Sequence, residues 1–144
     1  MLYFFRCLEP GKYASHIERW LQPKFYKARQ LYIIDGEKLK SDPIPVMNEL
    51  QHFLNVQPVV NYEKLLKFDS NKGFYCPVVP ATGNIRCLGK GKGRQYPPMD
   101  KSSRKFLDSY YRLDNERLLK LLTTKGYPIH NWLERDLNDD EQTL

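Results

Sequence analysis

The feature that most constrains the fold of this chain is a long stretch without helical periodicity, from Pro58 to Pro98. It is rich in glycine, proline, asparagine and aspartate, and its apolar residues occur only in short patches. Irregular segments of this length are uncommon inside a compact domain unless they carry a function. We therefore expect this irregular stretch to hold the functional site, with regular structure on either side of it.

Apolar residues at spacings of three and four predict helices outside the irregular stretch. The expected helices are residues 11–22, a segment opened by Asp42-Pro43, a long segment that starts at Asp100 or Ser102 and ends at Gly126, and residues 129–137. Aspartate can cap the free amides of a first turn, proline suits that turn, and glycine suits the left-handed turn that ends a helix. The faces expected to be buried carry Tyr13, Ile17, Trp20 and Leu21, then Val46, Leu50, Phe53 and Leu54, and finally Trp132 and Leu133.

The run from Gln30 to Glu37 differs from the helical segments because it is apolar and β-branched, and it ends in an Asp-Gly turn. An apolar run without alternation is typical of a strand buried on both faces, as in a parallel sheet. The order helix, strand, helix therefore predicts an α/β fold with a short parallel sheet and flanking helices.

The composition fits one compact domain. The chain has 144 residues, 41% of them hydrophobic, which is enough apolar material to fill a core. Its 23 lysines and arginines exceed its 17 acids, which gives a net charge of +6. No run approaches the roughly 20 apolar residues of a membrane-spanning helix, and the first residues lack the pattern of a secretory leader. We expect a structured domain without a membrane segment.

Metal binding is not expected from the cysteines and histidines. The three cysteines, Cys7, Cys76 and Cys87, form no CxxC or CxxH spacing. No histidine has a cysteine or a second histidine three or four residues away. Zinc sites depend on such short spacings. The odd number of cysteines leaves at least one of them unpaired.

The segment Gly89–Arg94, here called the cationic loop, alternates three glycines with three cations. Glycines let backbone amides approach an anion closely, and the lysines and the arginine add charge at the same place. Tyr75 and Tyr96 flank the loop and offer ring faces for stacking. These features predict a nucleotide site. Because the loop matches neither a P-loop nor a GxGxxG turn, a flexible linker or a solvated basic loop stays open as the alternative.

A bridge between Cys76 and Cys87 would organise this site before a ligand binds. Closing a loop of this size is worth on the order of 3 kcal/mol in the chain-entropy model. Such a bridge needs an oxidising compartment, and it would leave Cys7 as a free thiol.

Several blocks of the chain carry a resemblance to a known family. They are Cys7–Leu21, Asp35–Leu39, Phe68–Cys76, Arg86–Pro97 and the closing Trp132-Leu133. In this order they resemble the sulfotransferase domain of heparan sulfate N-deacetylase/N-sulfotransferases. The resemblance implies that residues 1–144 form the C-terminal part of a single sulfotransferase domain, a partial P-loop nucleotide kinase-like fold with a long disulfide-pinned loop.

The resemblance also implies an activity and site residues. The family transfers a sulfuryl group from 3′-phosphoadenosine 5′-phosphosulfate to glucosamine amines of a heparan or heparosan polysaccharide in the Golgi lumen, without a metal and without a nucleic acid partner. Its full-length members would be membrane-anchored. Lys92, Gly93, Arg94, Gln95 and Tyr96 match its cofactor-binding loop, Tyr75 matches a cofactor contact that is usually tryptophan, and Cys76 and Cys87 match its disulfide pair.

Two elements of the family pattern are not found in this sequence. The donor-phosphate loop of the Lys-Thr-Gly-Thr-Thr type and the catalytic base would lie upstream of Cys7. We therefore expect no catalytic residue in this chain, no activity from it alone, and an incomplete sheet around Leu31–Ile34, as in a piece of a longer protein or the product of a truncated gene. The alternatives are a non-catalytic polyanion-binding module and a superfamily member that sulfates hydroxyls.

Overall fold

The computed structural model describes residues 6–22, 27–57, 59–89 and 96–138. Its helices are α1 (Tyr13–Trp20), α2 (Gly36–Ser41), α3 (Pro43–Leu54), α4 (Tyr62–Leu65), α5 (Lys101–Lys125) and α6 (Asn131–Asn138), and its strands are β1 (Leu66–Asp69) and β2 (Phe74–Pro77). The chain divides into a helical unit, Met1–Ile33 with Pro98–Leu144, and a hairpin unit, Ile34–Pro97. Within the described ranges, no helix is both long and apolar enough to cross a membrane.

The helical unit is built around an apolar core. Its fully buried members come from α1, α5 and α6, namely Ala14, Leu118, Leu122 and Leu133. Burying each of the three leucine side chains contributes about 1.5–3 kcal/mol. The four predicted helices are present, but Trp20 was expected in the buried face of α1 and is 55% exposed. Periodicity identifies the apolar stripe of a helix without fixing how much of that stripe a neighbour covers.

Helix α5 has the ends that its sequence predicts. The side chain of Asp100 accepts a hydrogen bond from the amide of Ser103 at 2.9 Å and one from the hydroxyl of Ser102 at 2.6 Å. These bonds, the one from Ser102 first, lower the pKa of Asp100. At the other end Gly126 adopts φ +72°, and its amide donates to the last carbonyls of the helix. Both caps satisfy backbone groups that a helix end otherwise leaves free.

A network of polar contacts ties the residues before α1 to α5. The hydroxyl of Tyr111 donates to the carbonyl of Leu8 at 2.8 Å. Its ring lies so close to Gly11 that an added Cβ would come within 2.6 Å of the phenolic oxygen. Lys12 donates to Glu9 at 2.9 Å, and this bond lowers the pKa of Glu9 and raises the pKa of Lys12. A side chain at position 11 would therefore require the ring of Tyr111 to move.

The hairpin unit contains a regular sheet inside the irregular stretch. Strands β1 and β2 pair antiparallel, from Leu66 opposite Pro77 to Asp69 opposite Phe74. In the turn between them Gly73 adopts φ +72°, and its amide donates to the carbonyl of Asp69 at 2.8 Å. This hairpin was not predicted from the sequence, although short apolar runs around a turn-forming Asn-Lys-Gly segment are a hairpin signal.

The strand predicted at Gln30–Glu37 does not form. Residues 31–35 are neither helix nor strand, and Gly36 begins α2. The carboxylate of Asp35 caps that helix by accepting from the amides of Glu37 and Lys38 at 2.8 and 3.3 Å. The Asp-Gly pair therefore starts a helix and is not a turn after a strand.

The expected parallel sheet is also wrong, whereas the mixture of helices and strands is confirmed. The sheet recorded in the described residues has two strands, and they run antiparallel. A strand exists only where a neighbour accepts and donates its backbone hydrogen bonds. The described part of the chain places no strand beside residues 31–35, so their apolar character cannot produce one.

Helix α3 begins at Pro43 as predicted, but its buried face differs from the expected one. Val46 is buried, whereas Phe53 and Leu54 are 37% and 58% exposed, and no hydrogen bond from an amide to the side chain of Asp42 caps the helix. Gln51 is buried instead. Its side-chain amide donates to the carbonyl of Val60 at 3.0 Å and accepts from the amide of Val60 at 2.5 Å. This pair of bonds fixes the chain after α3.

Candidate functional site

A disulfide joins β2 to the segment before the cationic loop. The sulfurs of Cys76 and Cys87 are 2.08 Å apart, and the Cα atoms are 4.9 Å apart. Cys76 is fully buried, and Cys7 is an exposed free thiol. The predicted pairing is therefore confirmed. Because Tyr75 precedes Cys76, the bridge places the segment that enters the cationic loop next to the strand that carries Tyr75.

Tyr75 belongs to an aromatic pair on the hairpin. It lies opposite Phe68 in the register, and the two rings meet edge to face with centroids 5.4 Å apart and planes at 68°. Successive side chains of a strand point to opposite faces, so these rings share one face and Cys76 lies on the other. Phe68 is 55% exposed and Tyr75 is half-buried. Aromatic surface of this kind can stack against a planar ligand.

Two residues at the tip of the hairpin contact Cys87 or the residue after it: Asp69, which ends β1, and Lys72, which lies in the turn. The ammonium of Lys72 donates to the carbonyl of Leu88 at 2.8 Å. The Oδ2 atom of Asp69 lies 3.3 Å from Sγ of Cys87. A disulfide sulfur carries no hydrogen, so this second contact is a non-bonded approach. Both residues belong to the block Phe68–Cys76 that carries the family resemblance, but no role was predicted for either of them.

Asp69 also holds the turn through its other carboxylate oxygen. Oδ1 accepts from the amides of Asn71 and Lys72 at 3.0 and 3.2 Å. This is the bonding of an Asx turn, in which an aspartate side chain bonds to the backbone that follows it. The spacing of Asp69 and Gly73 is the signal that could have indicated the turn.

Three possible metal ligands meet at this point of the hairpin. In the described part of the chain, one carboxylate oxygen of Asp69 and the sulfurs of Cys76 and Cys87 lie within 4.8 Å of one another. Zinc and related ions bind cysteine as the thiolate. Both sulfurs are committed to the bridge, so this group does not constitute a metal centre in the disulfide form.

The other five predicted site residues are not seen beside Tyr75 and the disulfide in the part of the chain that the structure describes. Lys92, Gly93, Arg94 and Gln95 lie outside the described residues, and their assignment stays a prediction. Tyr96 is described and is 77% exposed. The ring contact recorded for Tyr75 is with Phe68, not with Tyr96. The structure thus brings Tyr75 and the two cysteines together, and it adds Phe68, Asp69 and Lys72 to their neighbourhood.

Comparisons with known proteins agree with the resemblance. Residues 2–124 match the family described as sulfotransferase domain. The human bifunctional heparan sulfate N-deacetylase/N-sulfotransferase 3 is 54% identical over 132 residues, which cover 92% of this chain and 15% of that protein. The Drosophila melanogaster bifunctional heparan sulfate N-deacetylase/N-sulfotransferase is 54% identical over 134 residues, or 92% of this chain and 12% of the relative.

A third relative, the human bifunctional heparan sulfate N-deacetylase/N-sulfotransferase 1, is 48% identical over 93% of this chain and 15% of its own length. The chain therefore spans between 12% and 15% of the length of these relatives. The sulfotransferase match, by contrast, extends over most of the chain. Together with the disulfide that the resemblance implied, it shows that the chain belongs to the sulfotransferase domain family.

Proposed function

We propose that this chain supplies part of the donor-nucleotide site of a heparan sulfate glucosaminyl N-sulfotransferase. The observation that carries the proposal is the Cys76–Cys87 bridge, which fastens the entrance of the cationic loop to the strand of Tyr75. The names of the relatives, which all describe heparan sulfate N-sulfotransferases, support the substrate class. The ligand of this site is 3′-phosphoadenosine 5′-phosphosulfate, and the acceptor is an amine of a heparan or heparosan chain.

The cations, the glycine and the tyrosines of the site have different physical roles in this proposal. Lys92 and Arg94 neutralise phosphate charge, and the arginine adds a forked pair of donors. Gly93 lets a backbone amide approach the same anion, and Gln95 lies beside these groups in the sequence. Tyr75 and Tyr96 supply ring faces for the adenosine portion. When bound, the donor provides an activated sulfuryl group; this chain binds and orients it, and we assign no residue here to accept the proton of the amine.

The exposed aromatic pair on the hairpin supports this ligand. A purine base needs a flat apolar surface, and the pair of Phe68 and Tyr75 lies on the strands that the disulfide joins to the cationic loop. A disulfide also persists in an oxidising compartment. We accordingly propose the Golgi lumen as the location of the assembled enzyme.

The test is a calorimetric titration of the chain with adenosine 3′,5′-bisphosphate, with adenosine 5′-monophosphate as the control nucleotide. We expect the bisphosphate to bind at least about tenfold more tightly, since hydrogen bonds to a charged group contribute about 1.5–3 kcal/mol. Equal affinity for the two nucleotides would count against a site that recognises the 3′-phosphate.

The variant Arg94→Ala tests whether the cationic loop contributes to nucleotide binding. We expect it to weaken binding of the bisphosphate by about 1.5–3 kcal/mol, because it removes a charge-assisted contact. Lys120→Ala is the matched control, since it removes an exposed cation from α5. An unchanged dissociation constant for Arg94→Ala, or an equal loss in both variants, would contradict the role of Arg94.

The same titration distinguishes a polyanion-binding module. Such a module would bind heparin fragments and the bisphosphate without selectivity, and its affinity would fall steeply with salt because many counterions are released. A nucleotide pocket would instead keep its preference for the 3′-phosphate as the salt concentration rises. A superfamily member that sulfates hydroxyls would bind the same nucleotide, and an acceptor assay with free-amine and hydroxyl-only heparan oligosaccharides separates that case.

A further inference from the structure

We infer that Asp69 and Lys72 are positioning residues for the nucleotide site, and that the hairpin turn sets the direction in which the chain enters the cationic loop. As regards the ligand, this inference rests on the proposed function. Its structural part, the fixing of residues 86–89 by the turn, can be tested without any ligand. The contacts between the turn and this segment are here called the turn clasp: the Lys72–Leu88 hydrogen bond and the approach of Asp69 to Cys87.

Val78 and Ile85 form an isolated antiparallel β-bridge, and the three residues after Ile85 are each held by a contact. The amide of Arg86 donates to the carbonyl of Pro77 at 2.8 Å. Cys87 is bonded to Cys76, and the carbonyl of Leu88 accepts from Lys72 at 2.8 Å. One covalent bond fixes a point but leaves the chain free to rotate about it. Contacts at the residues on both sides of Cys87 remove that freedom, so they fix a direction as well as a position.

The turn can act on Leu88 because it is itself rigid. The carboxylate of Asp69 accepts from two backbone amides of the turn, and its carbonyl accepts from the amides of Lys72 and Gly73 at 3.2 and 2.8 Å. The backbone of Lys72 is therefore fixed before its side chain reaches across to Leu88. Only the side-chain torsions must be ordered, which limits the entropy lost in forming the contact.

The consequence for ligand binding is preorganisation. Leu88 is the last residue before the cationic loop, and Gly89, the first residue of the loop, is the last one described before Tyr96. A binding segment whose approach is already fixed loses less conformational freedom when a ligand binds, so affinity rises without a new contact to the ligand. Lys72 would then contribute to nucleotide affinity by holding the carbonyl of Leu88.

A direct contact between Lys72 and a ligand phosphate is the competing role, and the two roles differ in measurable ways. A cation on a phosphate contributes to the salt dependence of binding, and removing it reduces that dependence. A positioning residue changes the affinity and leaves the salt dependence unchanged. It also changes the dynamics of residues 86–89 when no ligand is present.

The variant to make is Lys72→Met, which keeps the length of the side chain and removes its donors. Lys67→Met is the matched control, because Lys67 is an exposed cation of the same hairpin. Lys72→Arg is the conservative variant that can still donate to the carbonyl of Leu88. The first measurement is amide hydrogen exchange of Arg86 in the ligand-free chain by NMR, and the second is titration with adenosine 3′,5′-bisphosphate at two salt concentrations.

We expect Lys72→Met to speed exchange of the Arg86 amide about three- to tenfold and to weaken the bisphosphate by a similar factor, as for one hydrogen bond. Lys67→Met should change neither quantity, and Lys72→Arg should keep both near the values of the unaltered chain. The salt dependence of binding by Lys72→Met should equal that of the unaltered chain. Unchanged exchange in Lys72→Met would overturn the clasp. Faster exchange with unchanged affinity, or a reduced salt dependence, would overturn the positioning role.

These outcomes separate the inference from the proposed function. If the unaltered chain does not bind the bisphosphate, the proposed function fails, and the exchange rates still decide whether the turn fixes residues 86–89. If the chain binds the bisphosphate and exchange is unaffected, the proposed function stands and the inference fails.

Discussion

The helical unit and the hairpin unit are stabilised by different means. In the helical unit, fully buried aliphatic residues from three helices form one core. In the hairpin unit, the buried positions include a disulfide cysteine and two polar residues, Asp35 and Gln51, while large apolar side chains such as Phe68 and Leu88 are more than half exposed. A shared apolar core distinguishes the first unit, and a covalent bond together with buried polar hydrogen bonds distinguishes the second.

This difference explains why the candidate site lies in the hairpin unit. Apolar burial is non-directional and favours any arrangement that excludes water. Hydrogen bonds and a disulfide fix individual atoms in definite positions. A segment that must present charges to a phosphate therefore gains from the second kind of stabilisation, even where its apolar surface stays exposed.

The largest expected effect is on the free energy of unfolding, when a side chain is removed from the core of the helical unit. Leu122→Ala removes a side chain that is 1% exposed, and we expect it to lower the free energy of unfolding by about 2–5 kcal/mol, because the cavity cannot fully collapse. Both tryptophans, Trp20 and Trp132, belong to this unit, so urea unfolding followed by tryptophan fluorescence measures it. Leu113→Ala on the same helix, at a site 78% exposed, should change the value by less than about 0.5 kcal/mol. Similar losses in the two variants would mean that burial does not distinguish these sites.

The second largest effect is expected on the free energy of opening of the hairpin unit. Replacing Cys76 and Cys87 together by serine removes the bridge, and we expect the free energy of opening, measured by amide hydrogen exchange at Gly73 and Arg86, to fall by about 3 kcal/mol. Cys7→Ser is the control, because that thiol is exposed and unbonded. The tryptophan transition should stay in place. A shift of that transition as large as the loss at Gly73 would show that the bridge does not act on the hairpin unit alone.

The smallest effect concerns pH and the start of α5. The hydrogen bonds to Asp100 lower its pKa in the folded chain. A carboxylate with a lowered pKa stabilises the fold above its unfolded value, about 3.9, and this contribution is lost as the pH falls toward the folded value. Asp100→Asn should therefore lower the thermal midpoint at pH 7, and the difference from the unaltered chain should shrink below pH 4. Asp114→Asn, in the interior of the same helix, is the control; a difference for Asp100→Asn that is constant with pH would contradict this account.

Much of the helical structure was predictable because its signals are local. The cap at Asp100 and the stop at Gly126 lie within a few residues of the backbone groups that they satisfy, and the stripes around Ile17 and Leu133 show the helical spacing within their own helices. The strand expected at residues 30–37 failed for the opposite reason, since a strand depends on partners that its own sequence does not specify. The pairing of Cys76 with Cys87 was implied by family resemblance, and the structure confirms it.

By itself, then, the sequence determined the four predicted helices and both ends of α5, the concentration of positive charge between Gly89 and Arg94, and the family to which these blocks belong. Only the tertiary structure decided that Tyr75 meets Phe68, that Asp69 approaches Cys87, and that Lys72 holds the carbonyl of Leu88. The latter two contacts join residues 18 and 16 positions apart. Periodicity and caps act over one or two turns of chain, whereas contacts across such separations depend on the path that the hairpin and the disulfide impose.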